Sequence, residues 1–377
     1  MTMHIGFIED THLHGGTQIW VSEAVEAFIS KNLEVSLLAP EGSWIVDQCH
    51  DTGAIISTYD WDDVVHKDTQ SQEIWTRALR PCDVAICTVH PPREGFHCSV
   101  FASRCIQEGG LKTHLIPKAG TIVPEYVREF YLPDERIKSS IIAITDFTRR
   151  YLIETYHIPE EKVALIYQGT DTQRFQDSGS GEREAQKRYP LPDDASPILG
   201  SIGSFEQRKG HPVLFDALKK LVNGPLPNAH LMMVGDGPDE AMLKKRVRTL
   251  GLERHVSFFP FTEEPNYIYE RLDVTVLPSL NKEGLPNVLL ESVLMGVPVV
   301  SSNIGGVPEI VIEGQTGYMV EPGDASALAE AVNRIWMNQD IYMILKTRAR
   351  QLVIDKFNKE TQFERFISHF KKLKSAS

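Results

Sequence analysis

The chain has 377 residues, 42% of them hydrophobic and 24% charged, with a formal net charge of −12 at pH 7. That length exceeds one ordinary hydrophobic core and suits two α/β domains of a soluble globular protein. The acidic balance argues against a nucleic-acid binder, which needs a basic face to recover phosphate affinity, and leaves at most a peripheral contact with an anionic membrane.

The start, MTMHIGFIED, runs directly into an apolar strand with no basic region and apolar run before it, so no signal peptide is expected. No stretch approaches the 18 apolar residues of a membrane span. Cys49, Cys82, Cys87, Cys98 and Cys105 form an odd set without a C-x-x-C pair, which points to reduced thiols and a cytoplasmic location. Four of them flank His90 and His97, so a zinc site is the alternative. The preferred reading is small buried hydrophobes, with Cys82 and Cys87 at the two ends of one strand.

The apolar pattern predicts a strand over 5–8 and an amphipathic helix from the Gly15-Gly16 pair to about residue 31. Paired glycines let a backbone approach a ligand and adopt positive φ, which suits a phosphate or sugar at the helix N-terminus; an ordinary turn is the alternative. Further strands are predicted over 34–39, 54–58, 83–88, 113–116, 140–144 and 163–167, with helical patterns between them. Such alternation means a parallel, doubly wound sheet that binds ligands beyond its strand C-termini. The loops beginning at His12, His90 and Lys118 then face a ligand, and His90 and Lys118 become candidate catalytic groups. Asp60-Trp61-Asp62 has the D-x-D pattern of a divalent-metal site in another fold, and reads here as an acidic surface turn.

QGTDTQRF, residues 168–175, precedes the polar, Pro/Gly-rich run 177–197, which marks a domain boundary. The architecture then repeats, with a strand over 198–203, a helix over 211–222, a strand over 230–234 and a helix opened by GDGPDEAMLKKRV. GSFEQRKG, residues 203–210, ends the first of these strands, and its adjacent Arg208 and Lys209 are placed to meet a diphosphate. A last amphipathic helix is predicted over 359–374.

The segment 272–309 organises the rest. An apolar strand over 272–277 runs into a Ser/Asn/Gly/Pro loop, a helix over 286–296 and a second strand over 297–300. Pro286 suits the first helical position, which leaves the amides near Asn287 and Val288 facing the loop as an anion site. Glu283 and Glu291 bracket this end at roughly 12 Å along a helix axis of ~1.5 Å per residue. Acids beside a diphosphate hold hydroxyl groups, so Glu283 points to sugar hydroxyls and Glu291 to a ribose diol; two solvated glutamates are the alternative.

E-G-L-P-N-V-L-L-E, then G-V-P-V-V, G-G-V-P-E and T-G-Y-M-V-E-P-G-D, in register from Gly200 to Asp324, resembles the donor domain of the retaining family-4 glycosyltransferases. The resemblance implies a GT-B fold of two facing Rossmann-like domains: 1–170 for the acceptor, joined by a C-terminal helix over 357–377 that crosses back, and 171–356 for the donor. Glu283 and Glu291 stand at the family's two signature glutamates, and Lys209-Gly210 at its lysine-glycine pair. Gly15 and Gly16 resemble its N-terminal glycine loop, HVSFFPF with Phe261 the segment that receives the base, and Asp171 and Phe175 its lead into the second domain.

The implied reaction is transfer of a sugar from a nucleotide diphosphate sugar to a glycan, lipid-linked or small-molecule acceptor in polysaccharide biosynthesis, with retention. Lys209, Arg208, Gly16 and the stretch Gly284, Leu285, Pro286, Asn287 and Val288 would hold the leaving diphosphate, with no metal or cofactor. Two departures stand out: Ser204 where the family usually has arginine, and Lys118-Ala119 where it usually has histidine. A sugar-nucleotide 2-epimerase and a non-catalytic nucleotide-sugar sensor are the rival readings.

Overall fold

The computed structural model describes residues 2–12, 15–65, 69–90, 95–120, 128–175, 182–281 and 283–375. The chain forms two compact units, Met1–Tyr167 with Thr361–Ser377, and Gln168–Glu360.

In the first unit seven strands, β1 (His4–Ile8), β2 (Glu34–Pro40), β3 (Ile55–Tyr59), β4 (Val84–Val89), β5 (His114–Ala119), β6 (Ile141–Ala143) and β7 (Val163–Leu165), line up as β3-β2-β1-β4-β5-β6-β7. Every pairing is parallel. β1 and β4 are buried along their whole length, as strands covered on both faces must be. Cys87 lies inside β4 rather than at its end, and all five cysteines are buried free thiols.

Helix Gly16–Ser30 covers one face, its Trp20 and Phe28 rings 6.1 and 5.8 Å from Phe7. The C-terminal helix Lys359–Ser375 closes the same core through Phe363, Phe366 and Phe370. Trp20 Nε1 donates to Gln362 Oε1 at 3.2 Å, and Lys374 Nζ to Asp83 Oδ2 at 2.7 Å.

The second unit has six strands, β8 (Ile198–Ile202), β9 (His230–Val234), β10 (Val256–Phe259), β11 (Val274–Leu277), β12 (Val299–Ser302) and β13 (Gly317–Val320), ordered β10-β9-β8-β11-β12-β13. These too are all parallel. Helices His211–Val222 and Ala325–Trp336 supply Leu214, Leu218, Leu328 and Val332 to one core. β12 starts two residues later than its apolar run because Pro298 has no N–H for the ladder; its carbonyl instead accepts from Thr275 N at 2.9 Å.

The chain passes between units at 167/168 and 360/361, against boundaries of 170/171 and 356/357 implied by the resemblance. The displacement follows from a tight pairing of the two crossing segments. Thr170 N donates to Phe357 O at 2.8 Å and Lys359 N to Thr170 O at 3.1 Å, and a Cβ on Gly169 would lie 2.5 Å from Lys359 Cα.

In each sheet the strand order reverses beside the first strand, between β1 and β4 and between β8 and β11. Residues just beyond the C-terminal ends of those strands are where a doubly wound sheet receives ligands.

Candidate functional site

In the second unit the turn after β8 and the loop after β11 are docked on each other. Leu280 N donates to Arg208 O at 2.8 Å, and Gly210 sits at φ 68° with its missing Cβ only 2.1 Å from Pro278 O. No residue with a side chain fits there. This contact brings Lys209 Nζ within 2.7 Å of Glu283 Oε1, with Arg208 Nη1 at 3.7 Å. Ser279 Oγ donates to the same oxygen at 2.6 Å, so one oxygen of the 8%-exposed Glu283 takes all three contacts. The G-G-V-P-E turn pins it from behind. Gly305, at φ 55°, leaves 1.8 Å between its missing Cβ and Glu283 O, and Gly306 N donates to Gly284 O at 3.0 Å.

Arg208 and Ser204 also converge on one acid. Arg208 Nε donates to Glu206 Oε2 at 2.8 Å. Burial alone would raise the Glu206 carboxyl, but hydrogen bonds from Ser204 and Arg208 hold it below the usual range. The pair Arg208 and Lys209, expected from the sequence to meet a diphosphate, is held by the carboxylates of Glu206 and Glu283.

Helix Asn287–Leu294 starts one residue later than expected. Pro286 is its N-cap, with φ −72° and ψ 111°, and no side chain caps the end. Gly284, Leu285 and Pro286 are buried, Asn287 is exposed and Val288 half-buried. Gln168 Nε2 donates to Asn287 Oδ1 at 2.9 Å. Glu291, one turn into the helix, accepts from the Tyr269 hydroxyl at 2.8 Å. Burial raises its carboxyl, against the lowering effects of that hydrogen bond and of Arg174. Phe261, beyond β10, is 60% exposed.

In the first unit the chemistry lies at the ends of β1, β4 and β5. Glu9 is buried and pushed up to about 7 by desolvation, although Gln18 Nε2 donates to it at 2.8 Å. Asp10, 2% exposed, meets His90 Nε2 at 2.6 Å. The His90 carbonyl accepts from His97, whose ring burial pushes down to about 4. Lys118 does not begin a loop but belongs to β5. It is 2% exposed, its ammonium lies 4.1 Å from the Trp20 ring centre, and desolvation pushes it down to about 8.

Gly15 is extended at φ −164°, and neither it nor Gly16 has the positive φ expected of the pair. A Cβ at Gly16 would meet nothing within 4 Å, so this helix start is open. Asp10, His90 and Cys98 each bring one ligand atom to within 4.8 Å of the others. Two of those atoms already pair, and the Cys87 hydrogen bond and burial push the Cys98 thiol well up. Asp60 of the D-x-D accepts from Asp62 N at 2.8 Å, opening the short helix Trp61–Val65.

Residues 182–352, all inside the second unit, match the profile of the family described as Glycosyl transferases group 1. The match covers most of the second unit. The chain is similar to a lipopolysaccharide core biosynthesis glycosyltransferase, LpsE, of Rhizobium meliloti, and to a GDP-mannose-dependent α-(1-6)-phosphatidylinositol monomannoside mannosyltransferase of Mycolicibacterium smegmatis. The first is 32% identical over 48% of this chain and 52% of the relative, the second 33% identical over 46% and 47%. The chain thus spans about half the length of the curated relatives it matches.

Among solved structures, a glycosyltransferase of Rickettsia africae ESF-5 has a TM-score of 0.84 at 19% identity, with 100% of both chains covered. Anabaena Alr3699/HepE in complex with UDP has 0.84 at 17% identity, with 98% of this chain and 100% of that one covered. At those identities the likeness speaks for the fold, and the fold is GT-B.

Within the group 1 domain the sequence singled out Lys209, Arg208 and Glu283, and folding gathers them on one carboxylate oxygen. Three partners went unnoticed: Ser279 and Glu206, small or charged loop residues of no special pattern, and Tyr269. Nothing in the sequence pattern marks Tyr269, whose burial just before β11 emerges only on folding.

Proposed function

We propose that the chain is a retaining glycosyltransferase that moves a sugar from a nucleoside diphosphate sugar to a hydroxyl-bearing acceptor without a metal ion. The observation that carries this reading is the junction of Arg208, Lys209 and Glu283 beside the uncapped start of helix Asn287–Leu294, in a group 1 domain. Departure of a nucleoside diphosphate from an anomeric carbon builds negative charge on the leaving phosphate. Two cations and a helix N-terminus supply the positive charge to meet it.

Glu283 has one oxygen on Lys209, Arg208 and Ser279. Arrival of the diphosphate gives the cations a competing anion and releases that carboxylate to sugar hydroxyls. Each such charge-directed donor contributes on the order of 3–4 kcal/mol to lowering the barrier. The GDP-mannose-dependent relative and the UDP complex of HepE support a nucleotide donor. LpsE, a lipopolysaccharide core glycosyltransferase, supports a glycan or lipid-linked acceptor in polysaccharide assembly. The first unit is assigned to that acceptor, with His90 and Lys118 near it. Among the described residues no helix is long and apolar enough to cross a membrane. The buried, unoxidised cysteines support a cytoplasmic site of action.

The test is thermal denaturation against UDP-, GDP- and ADP-sugars, since a bound ligand raises stability with occupancy. The best donor is then assayed for transfer in EDTA, with the product's anomeric configuration read by NMR. At least one nucleotide sugar is expected to raise Tm, turnover to survive EDTA and the configuration to be retained. No shift with any donor, loss of turnover restored by Mn²⁺ or Mg²⁺, or an inverted product would overturn the corresponding part.

A further inference from the structure

Glu291 is aimed from outside its own helix. Its position on helix Asn287–Leu294 sets where the side chain starts, but a glutamate has three rotatable bonds and its carboxylate needs an anchor to hold one direction. Tyr269 supplies it. The hydroxyl lies 2.8 Å from Glu291 Oε2 and 3.2 Å from Val288 O, the backbone carbonyl of the same helix, so one phenol is tied to both the acid and the helix that bears it.

Tyr269 is itself 1% exposed, and the Phe175 ring meets it edge-on at 6.2 Å and 80°. Phe175 closes the segment 168–175. There Asp171 Oδ1 accepts from Gln173 N and Arg174 N, each at 3.0 Å, and Arg350 donates to Phe175 O at 3.2 Å. The whole chain of contacts, from Asp171 through Phe175 and Tyr269 to Glu291, lies in the second unit.

We propose that Tyr269, buttressed by Phe175, is a positioning residue that holds Glu291 Oε2 and presents Oε1 to a vicinal diol, the ribose of a nucleoside diphosphate. Among the described residues Oε1 has no hydrogen-bond donor, and Glu291 is half-buried rather than sealed, so that oxygen is the one left for a ligand. The inference rests on the nucleotide reading and on the ribose role already expected of Glu291, and goes further in naming the residue that enforces it.

Charge supports the geometry. Burial raises the Glu291 carboxyl and so favours its neutral form, which accepts hydroxyl protons poorly; the Tyr269 hydrogen bond and the Arg174 charge act in the other direction. Removing the phenol hydroxyl takes away one of the two, so the ionised form should then be reached only at higher pH.

The experiment compares dissociation constants of UDP with 2′-deoxy-UDP, and of GDP with 2′-deoxy-GDP, for the full-length wild-type chain, Tyr269→Phe and Glu291→Gln, between pH 5 and 8. The wild-type protein should prefer one ribonucleotide over its deoxy form by about tenfold or more, the scale of a charged hydrogen bond. Tyr269→Phe should lose at least threefold of that preference and keep the deoxy affinity, while the acid limb of ribonucleotide binding moves to higher pH.

An unchanged ribose preference, or equal weakening of ribo and deoxy forms, would overturn the inference, the latter marking Tyr269 as scaffold alone. Should Tyr269→Phe fail to fold, Phe175→Leu leaves the hydroxyl in place and loosens the ring; the same loss in smaller measure supports the proposal and an unaltered ratio refutes it. Wild-type protein that binds neither nucleotide defeats the nucleotide reading itself, whereas binding without ribose preference defeats only this inference.

Discussion

In the first unit the charges at the strand ends are taken out of water, Glu9 to 3% and Lys118 to 2% exposure, on residues that belong to β5 or directly follow β1. In the second unit Lys209 and Glu283 stand on a turn and a loop and meet directly at 2.7 Å, with side chains 15% and 7% exposed. Desolvation drives Glu9 and Lys118 toward their neutral forms, to about 7 and about 8. The loop pair has its counter-charges built in. Strand-borne groups cannot be re-aimed without disturbing the sheet, whereas loop-borne ions can exchange one partner for another. The second arrangement is the one suited to receive and release a charged leaving group, and the first is suited to tuning protonation near neutral pH.

The comparison breaks most visibly at Lys209. Lys209→Ala should lower kcat by about 10²–10³, the cost of removing one preorganised donor to a developing anion, and also strands the buried Glu283 carboxylate. Steady-state transfer or donor-hydrolysis assays decide it; turnover within threefold of wild type would mean the helix end suffices.

Glu9 sharpens the other side. Its folded carboxyl titrates near 7 against a reference of 4.5, so the folded state binds the extra proton and stability falls as pH rises between those values, then levels off. At ~1.4 kcal/mol per unit the decline is roughly 3 kcal/mol, and Glu9→Gln should abolish it. Denaturation at pH 5 and pH 8 measures the difference, and a variant with the wild-type pH slope would contradict the burial argument. Lys118 runs in the complementary window: its folded value near 8 against 10.5 makes stability rise with pH between the two, and Lys118→Met should flatten that rise.

Glu291→Ala is expected to cost about 1.5–3 kcal/mol in nucleoside diphosphate affinity by calorimetry. Arg208→Ala should have the smallest effect, a drop in kcat of about tenfold, because its guanidinium reaches Glu283 only at 3.7 Å and is shared with Glu206. Combined with Lys209→Ala the losses should be less than additive, as for two groups acting on one phosphate. Strict additivity would separate their roles.

Much of this organisation was legible in the amino-acid sequence because it depends on short-range pattern. The helix His211–Val222 and the strand β9 (His230–Val234) have the bounds read from periodicity, and the alternation of strands and helices led directly to parallel, doubly wound sheets. β13 was not recognised as a strand, since GYMV is too short to display a period and reads first as part of a turn-rich motif. Pro286 illustrates the same limit at one residue: φ near −70° suits both the first helical position and the N-cap, and only ψ separates them.

Residue types, their order along the chain and the family motif were thus settled by the sequence itself. Which charges meet was decided by tertiary structure. Arg208 and Lys209 reach Glu283 because Gly210 lets its turn close on Pro278, and Glu291 is aimed by Tyr269, which lies before a different strand. Lys118 looks like a loop residue from its flanking Ala-Gly, yet β5 carries it into the core beside Trp20. Hydrophobic periodicity is a property of neighbours along the chain, while desolvation and charge pairing depend on distances that exist only once separate elements have packed.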